Sequence, residues 1–135
     1  MLFGRVRAHI PLLILIALAG CSQGDSQTRF RVSGAITYDG QPVEFGEVLF
    51  TPDGAKGNSG AQGIATISKG RYDTSGSRAP GVAGGPMIVR VTASKDAQGT
   101  LLSEQEFELD LPKSDTTHDI KLEKSAKPAV AAPAI

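Results

Sequence analysis

Tryptophan is absent from this 135-residue chain, tyrosine occurs only at Tyr38 and Tyr72, and cysteine only at Cys21. So few large aromatics leave little from which to build a stacking platform for sugar rings or bases. A lone cysteine excludes an intrachain disulfide, so an oxidising compartment lends this fold no covalent staple. Acidic and basic side chains balance at fourteen each, which gives no electrostatic case for a nucleic-acid partner. No apolar run approaches the roughly 20 residues that a membrane-spanning helix requires. No Gly-x-Ser-x-Gly elbow, His/Cys cluster or Asp-x-Asp-x-Asp-Gly loop occurs, which removes the usual sequence signs of a serine hydrolase, a zinc site and an EF-hand.

What is present begins at the N-terminus. Arg5 and Arg7 precede an apolar stretch from Ile10 to Ala19, interrupted only by Pro11, with Leu12 to Ile16 at its centre. A basic flank, a short apolar centre and small residues before a cut site are the parts of a secretory signal. Val6 separates the two arginines, which argues against a twin-arginine signal. The run ends in Leu18-Ala19-Gly20-Cys21. This tetrapeptide resembles the lipobox of bacterial lipoproteins, in which a signal peptidase cuts before the cysteine. The resemblance implies cleavage between Gly20 and Cys21 and acylation of the Cys21 thiol. Each buried methylene contributes on the order of 0.8 kcal/mol, and stable attachment takes more than one chain. The two or three acyl chains of such proteins would make Cys21 a near-permanent anchor in a lipid bilayer. Ser22 follows the cysteine where an aspartate would favour retention at the inner membrane, so the sorting rule leans toward the outer membrane.

Four sections are expected: a lipoprotein signal peptide over 1–20, a lipidated tether over 21–28, one domain over 29–123 and a loose tail over 124–135. The small, polar tether would span about 15 Å as flexible coil. The tail is rich in Ala, Pro and Lys. Loss of the leader removes Arg5, Arg7 and His9, leaving twelve basic side chains, fourteen acidic ones and a single imidazole, His118.

The domain reads as all-β. Short alternating segments are separated by Gly, Pro and Asp, the signature of a sandwich or barrel. Phe30, Val32, Ile36 and Tyr38 share one face of a first strand, and Asp39-Gly40 supplies a turn. Val43 and Phe45 differ in parity from Val48 and Phe50, which predicts a β-bulge at Gly46. Gly60 to Ser68 is a weaker strand whose inner face is ambiguous, because Ile64 and Ile67 differ in parity. Lys69-Gly70 turns into a short strand around Tyr72. Met87, Val89, Val91 and Ala93 form an inward row. Phe107, Leu109 and Leu111 alternate with Glu104, Glu106, Glu108 and Asp110, and His118, Ile120 and Leu122 define a last inward row. The expected total is seven strands, with no helical stripe after residue 20.

Candidate chemistry is sparse. His118 is the only base available to a triad, and its inward parity near a strand start suits a hydrogen-bonded rim residue. Asp53 and Asn58 are suited to polar turn positions, with calcium ligation the competing role. The carboxylate row of Glu104 to Asp110 keeps a strand soluble and guards its edge, with weak cross-strand ion pairs to Arg90 and Lys121. The glycine- and proline-rich stretch from Ser75 to Pro86, which includes Arg78, is long enough to be either functional or a flexible connector.

The segment from Val32 to Val43, Val-Ser-Gly-Ala-Ile-Thr-Tyr-Asp-Gly-Gln-Pro-Val, resembles the opening hairpin of carboxypeptidase-regulatory-like, transthyretin-type β-sandwich domains. Gly46-Glu47-Val48-Leu49-Phe50-Thr51-Pro52, Gly70-Arg71-Tyr72 and Ile88 to Ala93 are similar to later strands of that family. The chain as a whole resembles small lipoproteins abundant in planctomycete-type bacteria. Gly84-Gly85-Pro86-Met87 departs from the family's Pro-Gly-x-Tyr approach to the later strand. The family's motifs mark turns and core positions rather than chemistry, so the resemblance implies a seven-stranded Greek-key sandwich and no particular ligand. The hydroxyisourate hydrolases of the superfamily need several histidines and a C-terminal Tyr-Arg-Gly-Ser, whereas this chain ends in Ala-Ala-Pro-Ala-Ile. The expectation is a non-catalytic, cofactor-free envelope lipoprotein with a structural or protein-binding domain and an unidentified envelope partner. The alternative is a module for carbohydrate, peptide or calcium using loops 52–60 and 75–86.

Overall fold

A computed structural model describes residues 27–76 and 80–124. Their organisation is all-β: β1 (Val32–Tyr38), β2 (Gln41–Pro42), β3 (Phe45–Pro52), β4 (Gly63–Ser68), β5 (Arg71–Asp73), β6 (Gly85–Ser94), β7 (Leu101–Leu111), β8 (Thr116–Thr117) and β9 (Ile120–Leu122). Two single-turn 3-10 segments follow β3 and β5. Each of the seven expected segments contains a strand, and the two-residue β2 and β8 raise the count to nine.

The strands form one curled sheet in the order β2-β1-β5-β4-β3-β6-β7, antiparallel throughout this path. Strands β8 and β9 pair in parallel with β1. The curl brings opposite ends of the sheet together: the Gln105 side chain on β7 donates to the carbonyl of Glu123, just past β9, at 2.9 Å. The concave side is the core. Ile36, Val48, Phe50, Val89 and Val91 are fully buried there, each contributing roughly 1.5–3 kcal/mol relative to an exposed position. The rings of Phe50 and Tyr72 lie 6.2 Å apart at a tilt of 37°.

Turn chemistry fixes the register. Asp39 and Gly40 have φ of 48° and 78°, and Lys69 and Gly70 have 51° and 74°. Two consecutive positive values make the tight turn whose twist matches flanking antiparallel strands. The turns pair Tyr38 with Gln41 and Ser68 with Arg71.

The bulge expected at Gly46 is not there. Strand β3 keeps an unbroken register through Gly46 with both β4 and β6. The parity change arises instead where the chain crosses from β2 to β3: Val43 is buried, Phe45 is 39% exposed, and burial resumes at Val48. Alternation cannot be carried across a segment that changes partners. Gly46 answers a packing need, since a Cβ there would lie 2.2 Å from the Thr92 carbonyl oxygen. The irregularity that does occur lies between β6 and β7, at Ala93/Ser94. The ambiguous β4 is also resolved: Gly63, Ala65 and Ile67 face inward, and Ile64 faces out.

Candidate functional site

Strand β7 is eleven residues long and ladders only with β6. Its other edge has no strand partner among the described residues. Alternation gives the strand two different faces. Glu104, Glu106, Glu108 and Asp110 project outward and are exposed, whereas Phe107 and Leu109 point toward the core but are only partly covered. Leu101, at the β7 start, is 57% exposed. Arg90 binds Glu106 at 2.8 Å across the β6–β7 ladder. Glu108 is held not by Lys121, as the sequence suggested, but by Lys56 at 2.7 Å. The reason is topological: Lys121 lies on β9, against β1 and away from the outer face of β6 and β7. Glu104 and Asp110 have no ion-pair partner among the described residues, so the row keeps two net negative charges.

A second feature is a polar hollow of about 380 Å³ on the outer face of β1, β4 and β5, bordered by Ser33, Thr66, Ser68, Arg71 and Asp73. Arg31 closes one side through a two-pronged ion pair with Asp73. Hydrogen bonds from Arg31 and from the Ser75 backbone hold the Asp73 carboxyl well below the usual carboxylate range, and Arg31 is raised in turn. The Arg71 guanidinium makes no hydrogen bond or ion pair with another described residue.

Loops 52–60 and 80–86 meet at one end of the sheet. Asp53 is buried and caps the first 3-10 turn by accepting from the Ala55 N–H at 3.1 Å. Asn58 donates from Nδ2 to the carbonyls of Gly84 and Pro86 at 2.9 and 2.7 Å. Both side chains thus serve as the polar turn residues the sequence suggested. The end of the long loop is equally tied: Val82 pairs with Phe30 and is fully buried, and Arg29 donates to the carbonyls of Pro80 and Gly81. Arg78 lies outside the described residues.

His118 is half-buried. Its backbone N–H donates to Ser33 at 2.8 Å and its carbonyl accepts from the Tyr72 hydroxyl. The imidazole itself hydrogen-bonds to no described residue, unlike the bonded rim position expected for it. No described hydroxyl is therefore paired with it as nucleophile to base. Among the described residues no group of three or more His, Cys, Asp and Glu side chains gathers to hold a metal ion, and no helix is long and apolar enough to cross a membrane.

The cleavage and lipidation positions, Gly20 and Cys21, lie outside the described residues, as do most of the tether and of the tail. The open edge of β7 was missed by sequence reasoning. The acidic row was visible, but which strands flank β7 is set by pairing far along the chain. No protein-family model matches the chain, and no curated protein matches it.

Proposed function

We propose that this protein is an exported lipoprotein, cut between Gly20 and Cys21 and acylated on Cys21, whose β domain is a non-catalytic protein-interaction module at the bacterial envelope surface. Leu18-Ala19-Gly20-Cys21, at the end of its apolar run, supports the anchor. The edge of β7 that is unpaired among the described residues carries the interaction role, because a long strand with free backbone groups is a ready template for another chain. We assign the finer fold to a seven-stranded Greek-key sandwich of the carboxypeptidase-regulatory-like, transthyretin type, with β2 and β8 as short additions. The family-like glycines and turns fall at tight packing positions, which supports that assignment.

The test is crosslinking in native membranes, with Cys21→Ser as control. The natural protein should partition with membranes and yield one crosslinked partner protein, and Cys21→Ser should move to the soluble fraction. An unmodified thiol with the leader intact, found by mass spectrometry, would overturn the anchor.

A ligand-binding module for carbohydrate, peptide or calcium is the second reading. The meeting of loops 52–60 and 80–86 through Asn58 favours it. A melting shift with one of these ligands, and no crosslinked partner, would support it in place of the first.

A further inference from the structure

We infer that the free edge of β7 accepts, as an added strand, an extended segment of another protein in which lysine or arginine alternates with apolar residues. This rests on the interaction reading above and names the chemistry of the partner. Strand addition joins main-chain N–H and C=O groups to an exposed sheet edge, and alternate side chains give specificity. Both requirements are met on β7.

From Ser103 to Leu111 the β6–β7 ladder is regular; the bulge is confined to the Leu101 end. This regular part lacks the bulge, lysine or proline that closes many edges, and its outward carboxylates deter only a strand that is not basic. An added strand would run along β7 on the side away from β6, and where it came between β7 and the end of β9 the Gln105–Glu123 hydrogen bond would yield to it. Its inward side chains would extend the row of Phe107 and Leu109, which β6 alone leaves partly uncovered. Its outward side chains would stand beside Glu104, Glu106, Glu108 and Asp110. Arg90 and Lys56 neutralise only the middle two. Basic residues at alternate positions would complete that row, since opposite charges placed across a ladder attract.

The same arithmetic argues against two other occupants. Antiparallel pairing of β7 with a second copy, in a register that keeps both apolar rows inside, sets carboxylate against carboxylate. The chain's own 125–135 segment offers one basic side chain, Lys127, and its Pro128 and Pro133 have no N–H for a ladder.

The test uses the purified full chain and a short synthetic peptide alternating lysine and valine. A second peptide of the same sequence, N-methylated at successive backbone nitrogens, retains the charge and loses the ladder donors on both of its edges. The first should bind and slow amide exchange along 104–110, and the second should bind at least about tenfold more weakly, a difference of one decade in Kd. Glu104→Lys with Asp110→Lys, both at exposed positions, should weaken the first peptide by about tenfold or more while leaving the melting temperature in place.

Equal binding of the two peptides would reduce the effect to charge attraction and overturn the proposal. So would protection confined to another strand. A concentration-dependent dimer protecting β7 would give the edge to a second copy, and β7 protection that disappears on removal of 125–135 would give it to the tail; either overturns the assignment. If neither peptide binds while membrane crosslinking still recovers a partner, the β7 assignment fails and the interaction reading stands.

Discussion

The hydroxyl of Tyr72 donates a hydrogen bond to the main-chain carbonyl of His118, reaching across β1 at Gly34. Tyr72 pairs with Gly34 on one side of β1, and on the other side the His118 carbonyl occupies the space a Cβ on Gly34 would need. One side chain thus ties β5 to the connection between β8 and β9, strands that ladder only with β1. Burial, with a smaller contribution from Asp119, pushes the Tyr72 phenol well above its ordinary value. It therefore stays protonated, and a donor, around neutral pH. Tyr72→Phe should retain the core packing and lose the bond, at a cost of about 1–2 kcal/mol. Urea denaturation measures this as a lower midpoint with an unchanged slope.

Gly34→Ala should be worse than Tyr72→Phe. The added methyl would lie 2.2 Å from the His118 oxygen, and backbone atoms on both sides cannot move as a flexible side chain would. Overpacking of this kind typically costs about 1–3 kcal/mol. The displaced carbonyl should also lose its bond to Tyr72, so the double variant should cost less than the two single variants added together. Additive losses would show that the two residues do not share this contact.

Local chemistry was legible in the sequence wherever it is decided locally. Asp39-Gly40 and Lys69-Gly70 announced their turns, and the rows from Met87 to Ala93 and from Phe107 to Leu111 announced their inner faces. Readings failed where the structure depends on which segments become neighbours. Parity carried from Val43 to Val48 predicts a bulge at Gly46 only because it crosses a change of partner strand. Alternation marks Lys121 as a cation for the acidic row, yet Lys56, far away in sequence, is the residue that reaches Glu108. Val82 sat in a stretch without periodicity, yet it is fully buried through its pairing with Phe30. The open edge of β7 belongs to the same class: sequence alternation reports the two faces of a strand and says nothing of its two edges.

Asp73 predicts a specific acid response. Its depressed value means that the folded state favours the ionised carboxylate, chiefly through hydrogen bonds from Arg31 and from the Ser75 backbone. The stability it brings is complete above the unfolded value of about 3.9 and drains as pH falls toward the folded value. Asp73→Asn should therefore be less stable than the natural protein at neutral pH and should decline less steeply below about pH 4. Because the pair is exposed, the difference should be small and should shrink as salt is added. Thermal melts across pH at low and high ionic strength measure both effects.

Asn58 separates a structural corner from a cation site. Its amide nitrogen satisfies the carbonyls of Gly84 and Pro86, and the Pro86 carbonyl also accepts from the Asp53 N–H at 2.9 Å. Asn58→Ala should leave the Gly84 carbonyl unpaired in a buried position, at a cost of about 1–3 kcal/mol. Asn58→Asp should be worse despite its matching shape, because a carboxylate has no proton to donate and would stand against two carbonyl oxygens. If the corner is purely structural, calcium chloride should leave the unfolding midpoints of both variants where they were. If calcium instead restores Asn58→Asp, the same oxygens would serve as ligands, and the second reading of this domain would gain its first direct support.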